Sequence, residues 1–346
     1  MIKQISTLIL APFMFFVTKS LCLFYSSLAV VYLVIKFLKY DPKFWNPKVR
    51  THPPACLSNP EFGTHNYIRV NGIKLHYVEK GDKSKPLMLF VHGFPEFWYS
   101  WRFQLKEFSN DYWCVAIDMR GYGDSDKPEG ISSYEVDQLS DDIKSVIKEL
   151  GREKCYLICH DWGAVVGWNF VQNNMNMVEK YVMMGAPSAQ AWRKVIMSSE
   201  FWDQFKKSWY IFYFQMPRLP EFTISLNDFA VFKAVGSKQK SDTYTDEDME
   251  AYKYTFSRPG ALTPPINYYR ANISFHKMPK LTTPTTFASG LYLLGEDDLY
   301  ISKATGAELQ KFFKNLQYEV VPGTNHFLQQ DAPEKTNAII RKFLKS

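Results

Sequence analysis

The feature that most limits how this chain can fold is a series of short apolar runs at 87–91, 114–117, 156–159, 181–184, 291–294 and 318–321, without the polar alternation of a half-exposed strand. Side chains alternate faces along a strand, so a run that stays apolar must bury both faces, as in a parallel sheet covered by helices. Helical patterns fall between these runs, at 97–108, 134–150, 163–175, 302–313 and 333–344. Strand alternating with helix predicts an α/β fold, a mostly parallel sheet flanked by helices and joined by right-handed crossovers. Ahead of it, 67–70 and 73–78 flank Asn71-Gly72, a strong hairpin signal. Residues 188–280 break the rhythm: they carry no strand signal and are rich in aromatics and proline. They are expected to form a helical cap over the strand ends. The core is then divided into 62–187 and 281–346, preceded by an N-terminal segment 1–39 and a proline-rich linker 40–61.

Open α/β sheets bind ligands beyond the carboxyl ends of their strands. The residues expected there are His92-Gly93-Phe94-Pro95, the stretch from Asp118 through Arg120-Gly121-Tyr122-Gly123 to Ser125, Cys159-His160-Asp161-Trp162-Gly163, Gly295-Glu296-Asp297-Asp298 and Thr324-Asn325-His326. Every polar cluster falls at the same edge of the sheet, which weighs more than any single motif.

Asp161 stands between a strand and a helix with Gly163 two residues on, the position of a nucleophile elbow. An esterase would have a serine there. A carboxylate is ionised at neutral pH and needs no base to attack. It suits displacement at a saturated carbon, which leaves an alkyl ester on the protein. Water must then hydrolyse that ester. His326, after the last strand, is the natural base, and Asp298 the carboxylate to orient it, with Asp297 as its competitor. The chain order is that of α/β hydrolases. The backbone N–H groups of Phe94 and Trp162 are placed to serve as the oxyanion hole. The plainer readings are that Asp161 caps a helix and that His326 is a loop histidine. His92 and His160 are expected to bond the backbone around the elbow.

At these positions the chain resembles the epoxide hydrolases of the α/β-hydrolase fold and is similar to their membrane-anchored vertebrate members. The resemblance spans about residues 62–345 and rests on His92-Gly93-Phe94-Pro95, Arg120-Gly121-Tyr122-Gly123 and His160-Asp161-Trp162-Gly163. Within the cap, the segment from Trp209 to Pro217 and Asn267-Tyr268-Tyr269-Arg270 resemble the two cap-tyrosine segments. The resemblance implies that Tyr210 and Tyr269 bind and protonate the epoxide oxygen, with Tyr213 and Tyr268 as the alternatives. It also favours Asp298 over Asp297, three residues past Gly295. An opening epoxide releases a strongly basic alkoxide, and two phenols of pKa ~10 can donate to it without being charged at rest. Haloalkane dehalogenases share the aspartate but must hold a halide. Phe94 has no side-chain N–H to offer one.

Two departures from the family pattern stand out. Cys159 occupies the place, two residues before the nucleophile, where a glycine is usual. A shifted turn and an oxidation-sensitive site are expected from it. The stretch from Pro284 to Gly295 is about five residues longer than usual, which leads one to expect a loop around residues 286–290, just before Asp298. These departures keep open a non-catalytic, membrane-tethered binding protein as a rival to the hydrolase. No Walker, GxGxxG or HExxH motif is present, so neither a cofactor nor a metal is expected.

The net charge is +6, and Lys3, Lys19, Lys36 and Lys39 put +4 of it into residues 1–39, which hold no acid. The other 307 residues carry only +2, which excludes a general nucleic-acid footprint. Five sparse cysteines without a CxxC pair argue against a disulfide scaffold. Residues 20–35 are uncharged between Lys19 and Lys36. As a helix they would reach roughly 24 Å, against a hydrocarbon core of about 30 Å, and the flanking lysines can snorkel. A single-pass membrane helix is expected. The cations after it favour a cytosolic catalytic domain. The resemblance implies the endoplasmic reticulum as the compartment. The aromatic cap and the anchor together point to a lipophilic epoxide as substrate.

Overall fold

Asn71 and Gly72 both adopt positive φ, 50° and 79°, in the computed structural model, which describes residues 2–39, 41–236, 243–273 and 288–346. That is the geometry of the primed turns that match the twist of a hairpin. The turn joins β1 (Thr64–Val70) to β2 (Ile73–Lys80), with Val70 facing Ile73. Ahead of the hairpin lie a long helix α1 (Ile2–Leu38) and a single turn α2 (Pro42–Trp45). Behind it run β3 (Leu87–Val91), α3 (Arg102–Phe108), β4 (Trp113–Ile117), α4 (Val136–Glu149), β5 (Cys155–His160), α5 (Trp162–Asn173) and β6 (Val178–Met184). The eight strands lie in the order β1-β2-β4-β3-β5-β6-β7-β8, where β7 is Ser289–Gly295 and β8 is Leu316–Val321. β1 pairs with β2, and β2 with β4, in antiparallel fashion, and every later pair is parallel.

The runs chosen for their apolar continuity are all strands, but β8 lies at the sheet edge and is not buried on both faces: Gln317 and Glu319 are exposed. β3 has the expected bounds, and all five of its residues are buried. β6 begins three residues earlier than expected because Val178-Glu179-Lys180 enter the sheet at its margin, where Glu179 stays exposed. A search for unbroken apolarity stops short of such residues. The expected helix at 97–108 is divided into a 3-10 turn, Trp98–Trp101, and α3.

Among its described residues the insertion holds helices joined by turns and no strand: α6 (Ala189–Ile196), α7 (Phe201–Lys207), α8 (Trp209–Tyr213), α9 (Leu219–Phe229, kinked at Leu226, Asn227 and Asp228), α10 (Lys233–Gly236), α11 (Asp246–Ser257) and α12 (Thr263–Asn272). Its expected end at 280/281 lies outside the described residues, as do Thr286 and Phe287 of the 286–290 stretch expected to loop out. Ser289 and Gly290 of that expected loop belong to β7 instead, paired with β6. The chain closes with α13 (Ala304–Phe312), a single turn α14 (Leu328–Asp331) and α15 (Pro333–Lys345). Buried Arg120 bonds Asp142 of α4 at 2.6 Å, so the loop after β4 is fastened to the helix that follows it.

Candidate active site

Asp161 links β5 to α5 with φ 49° and ψ −119°, a backbone state that costs a non-glycine residue about 1–3 kcal/mol and marks functional sites. The turn lifts the carboxyl toward the loop after β3. Phe94 N–H donates to Asp161 Oδ1 at 2.7 Å. The approach is so close that a Cβ on Gly93 would come within 2.4 Å of the Asp161 side chain. Trp162 opens α5, so its N–H has no acceptor within the helix and remains available at the same place.

Asp161 Oδ2 lies 3.3 Å from His326 Nε2, and His326 Nδ1 lies 2.8 Å from Asp298 Oδ2. Asp298 is buried and held by the N–H groups of Tyr300 and Ile301, whereas Asp297 is exposed, so burial favours Asp298 as the candidate. The cap reinforces this loop, since Lys207 of α7 donates to the Asp298 carbonyl at 2.8 Å. Burial works against a charged imidazole at 326, but the carboxylates of Asp298 and Asp161 outweigh it and push His326 from its ordinary 6.5 up to about 10. Burial likewise opposes charge on Asp161, yet the bond to His326 and that cation hold its carboxyl below the usual range. At neutral pH the resting pair is therefore imidazolium and carboxylate.

Six aromatic rings enclose the carboxyl. Tyr269 meets Trp162 at 4.9 Å, Phe214 at 4.9 Å, Phe94 at 5.6 Å and Tyr210 at 5.8 Å, all edge to face. Tyr300 stands 5.6 Å from Tyr210 and 4.8 Å from His326. Burial, together with the nearby charge of Asp161, raises the phenols of Tyr210 and Tyr269 well above their ordinary range, so both keep their protons. The alternatives are engaged elsewhere. Tyr268 donates to the Arg120 carbonyl at 2.7 Å, and Tyr213 bonds Thr223 at 2.6 Å.

The two departures leave this geometry whole. Cys159 does not widen the elbow, because Gly167 one helix face away makes room: a Cβ there would lie 2.8 Å from Cys159 Sγ and 2.8 Å from Met183. The thiol is fully buried and burial raises its pKa well above the ordinary value, so the expected oxidation sensitivity is corrected: oxidation needs exposed thiolate. Gly167→Ala is expected to destabilise the fold by about 1–3 kcal/mol through overpacking. Cys159→Gly should restore part of that loss in the double variant, as read by denaturant midpoints. The residues added before Asp298 leave its bond to His326 intact.

Sequence reading missed Glu96 and Tyr300. Glu96 is fully buried and accepts bonds from Gly93 N–H at 3.0 Å and from Gln329 and Gln330, and it pairs with His160 Nδ1 at 2.6 Å. His160 Nε2 in turn bonds the His326 carbonyl at 2.9 Å, so one carboxylate ties together the loop after β3, the elbow and the loop of His326. An acid within Pro95-Glu96-Phe97-Trp98 was the available signal, because an acid in an apolar run is seldom buried without a partner. His92 bonds Gly93 O and Met119 N, as expected of a structural histidine. His76 forms a buried pair with Asp118 at 2.8 Å.

This fold and this arrangement define an α/β hydrolase, and the pattern of the alpha/beta hydrolase fold family matches residues 86–333. Within that fold the chain belongs to the epoxide hydrolase family. Epoxide hydrolase 4 of Homo sapiens is 43% identical over 309 residues, covering 86% of this chain and 83% of its own. Epoxide hydrolase 3 of Xenopus tropicalis is 41% identical over 312 residues, with 87% and 83% covered. A crystal structure of a mutant epoxide hydrolase from Bacillus megaterium, complexed with its product (R)-3-[1]naphthyloxy-propane-1,2-diol, superimposes with a TM-score of 0.75 at 30% identity, covering 81% of this chain and all of that one.

Proposed function

We propose that this chain opens lipophilic epoxides to vicinal diols through an ester on Asp161. The reading rests on one observation above all. The Asp161 carboxyl is held by Phe94 N–H on one oxygen and by His326 on the other, beneath two neutral phenols. Asp161 Oδ2 attacks an epoxide carbon, the ring C–O bond breaks, and a phenol of Tyr210 or Tyr269 protonates the departing oxygen. The imidazolium returns a proton to that phenolate. Esterification removes the negative charge of Asp161, one of the two that hold the proton on His326, so the imidazole becomes a competent base when the ester forms. His326 then takes a proton from water, which attacks Cγ. The oxyanion collects on Oδ1, where the N–H groups of Phe94 and Trp162 stabilise it. Collapse expels the diol oxygen, which takes the proton from His326, and the acid left on Asp161 recharges the imidazole.

The Tyr210–Tyr269 pair argues against the dehalogenase reading, which has no use for two phenols. The assembled triad argues against a mere binding protein. The aromatic box and the apolar α1, whose segment Phe15–Leu38 is long enough to cross a membrane, support a lipid-dissolved substrate. The cations from Lys36 to Arg50 suit the anionic lipid surface of the cytosolic leaflet and so support a catalytic domain on the cytosolic side, and the likeness to membrane-anchored vertebrate members supports the endoplasmic reticulum.

The test is a single turnover in ¹⁸O-water with enzyme in excess. The label is expected in the Asp161 carboxyl and not in the first diol. Label appearing directly in that diol would show that water attacks the epoxide without an ester.

A further inference from the structure

We propose that α1 lies along the membrane surface rather than across it, and that its outer face and the adjoining rim of the cap together form the lipid-contacting surface of the protein. Thr18, Cys22, Tyr25, Ser26, Ala29, Leu33 and Lys36 are all buried or half-buried, whereas Phe16, Leu23, Phe24, Val31, Val34 and Leu38 are exposed. The first set recurs at the three- and four-residue spacing of a single helix face. It runs from Thr18 to Lys36, so this stretch of the helix rests on the domain along one face.

Two contacts secure it. Tyr25 lies 5.9 Å from Trp209 and 6.4 Å from Phe212 of α8. Toward the other end, Lys36 sits 5.2 Å over Phe44 of α2, and Trp45 beside it stacks on Phe222 of α9.

Charge is arranged to match. Turning about 100° per residue, Lys19, Lys36 and Lys39 all fall on the half of the helix that faces the domain. The opposite half holds only apolar residues and the hydroxyls Ser20 and Ser27 among its described side chains. A helix seated on its own domain along one face and apolar on the other can present that outer half to lipid while it lies in the interface. Crossing the bilayer in this packed state would carry α7 and α8 into hydrocarbon, and α7 exposes Asp203 and Lys206. Charges at that depth are costly. Trp209, 48% exposed, lies against Tyr25 of the helix, and Trp202 of α7 is 65% exposed on the same cap; indole rings favour the headgroup level. Seated this way, the lipid surface adjoins the helix that carries Tyr210.

The full chain made with microsomal membranes tests this through Lys3→Cys and Val49→Cys, read with a membrane-impermeant maleimide against the wild-type background of buried thiols. Both variants are expected to label to the same extent before detergent. Labelling of one only after detergent would place the two ends on opposite sides and overturn the proposal. In vesicles of brominated phosphatidylcholine, Trp202→Phe and Trp209→Phe should each lower the quenched share of tryptophan emission. Quenching unchanged from wild type in both would overturn the seating of the cap.

Discussion

His326→Gln is expected to attack an epoxide once and then stall. Incubated with a lipophilic epoxide at about pH 8, where Asp161 stays ionised without its cationic neighbour, the variant should gain the mass of one epoxide, and peptide mapping should place it on Asp161. Steady-state turnover should fall by about 10²–10⁴-fold, the usual worth of a general base. The two steps separate because they need different things from residue 326. Attack needs only the Asp161 carboxylate and a proton donor for the alkoxide. Hydrolysis needs a base within reach of water at Cγ, and a carboxamide is none. Glutamine can still bond Asp298, so the loop has a reason to keep its place. Folded variant that forms no adduct over a panel of lipophilic epoxides would remove Asp161 as the nucleophile.

Much of this architecture was legible because burial on both faces leaves a compositional trace. The runs that became β3, β4 and β5 sit in the middle of the sheet, and hardly any of their residues face water. The candidate nucleophile and base were legible for a related reason: strand ends can be located, and Asp161 follows β5 directly while His326 stands in the loop after β8. Glu96 was not, because its meaning comes from His160, Gln329 and Gln330, which reach it from elsewhere in the chain. Cys159 read as a defect because its compensation, Gly167, lies on the next helix and the two meet only in space. The setting of α1 was hidden for the opposite reason. A segment apolar almost all round does not declare which face is covered, and the stripe through Cys22 and Ser26 emerges only when α8 is set against it.

Tyr210→Phe with Tyr269→Phe is expected to stop the reaction one step earlier. Each substitution removes a hydroxyl and keeps the ring, so the edge-to-face contacts of Tyr269 with Trp162, Phe94 and Phe214 should survive, and with them the cap. What is lost is the proton for the alkoxide. Burial and the nearby negative charge of Asp161 keep both phenols protonated at rest, which makes them weak acids in the free enzyme. Once Asp161 is esterified, its charge no longer opposes ionisation of a phenol, so proton donation becomes easier as the C–O bond breaks. Either single variant retains one donor and should keep part of its activity. The double variant should lose about 10²–10⁴-fold in the rate of adduct formation. The discriminating measurement combines the variants: in a His326→Gln background the adduct on Asp161 should accumulate with both tyrosines present and fail to form within the same time when both are phenylalanine. Adduct forming at an undiminished rate would shift the role of acid to another group, and Tyr300, between Tyr210 and His326, would be the first to replace.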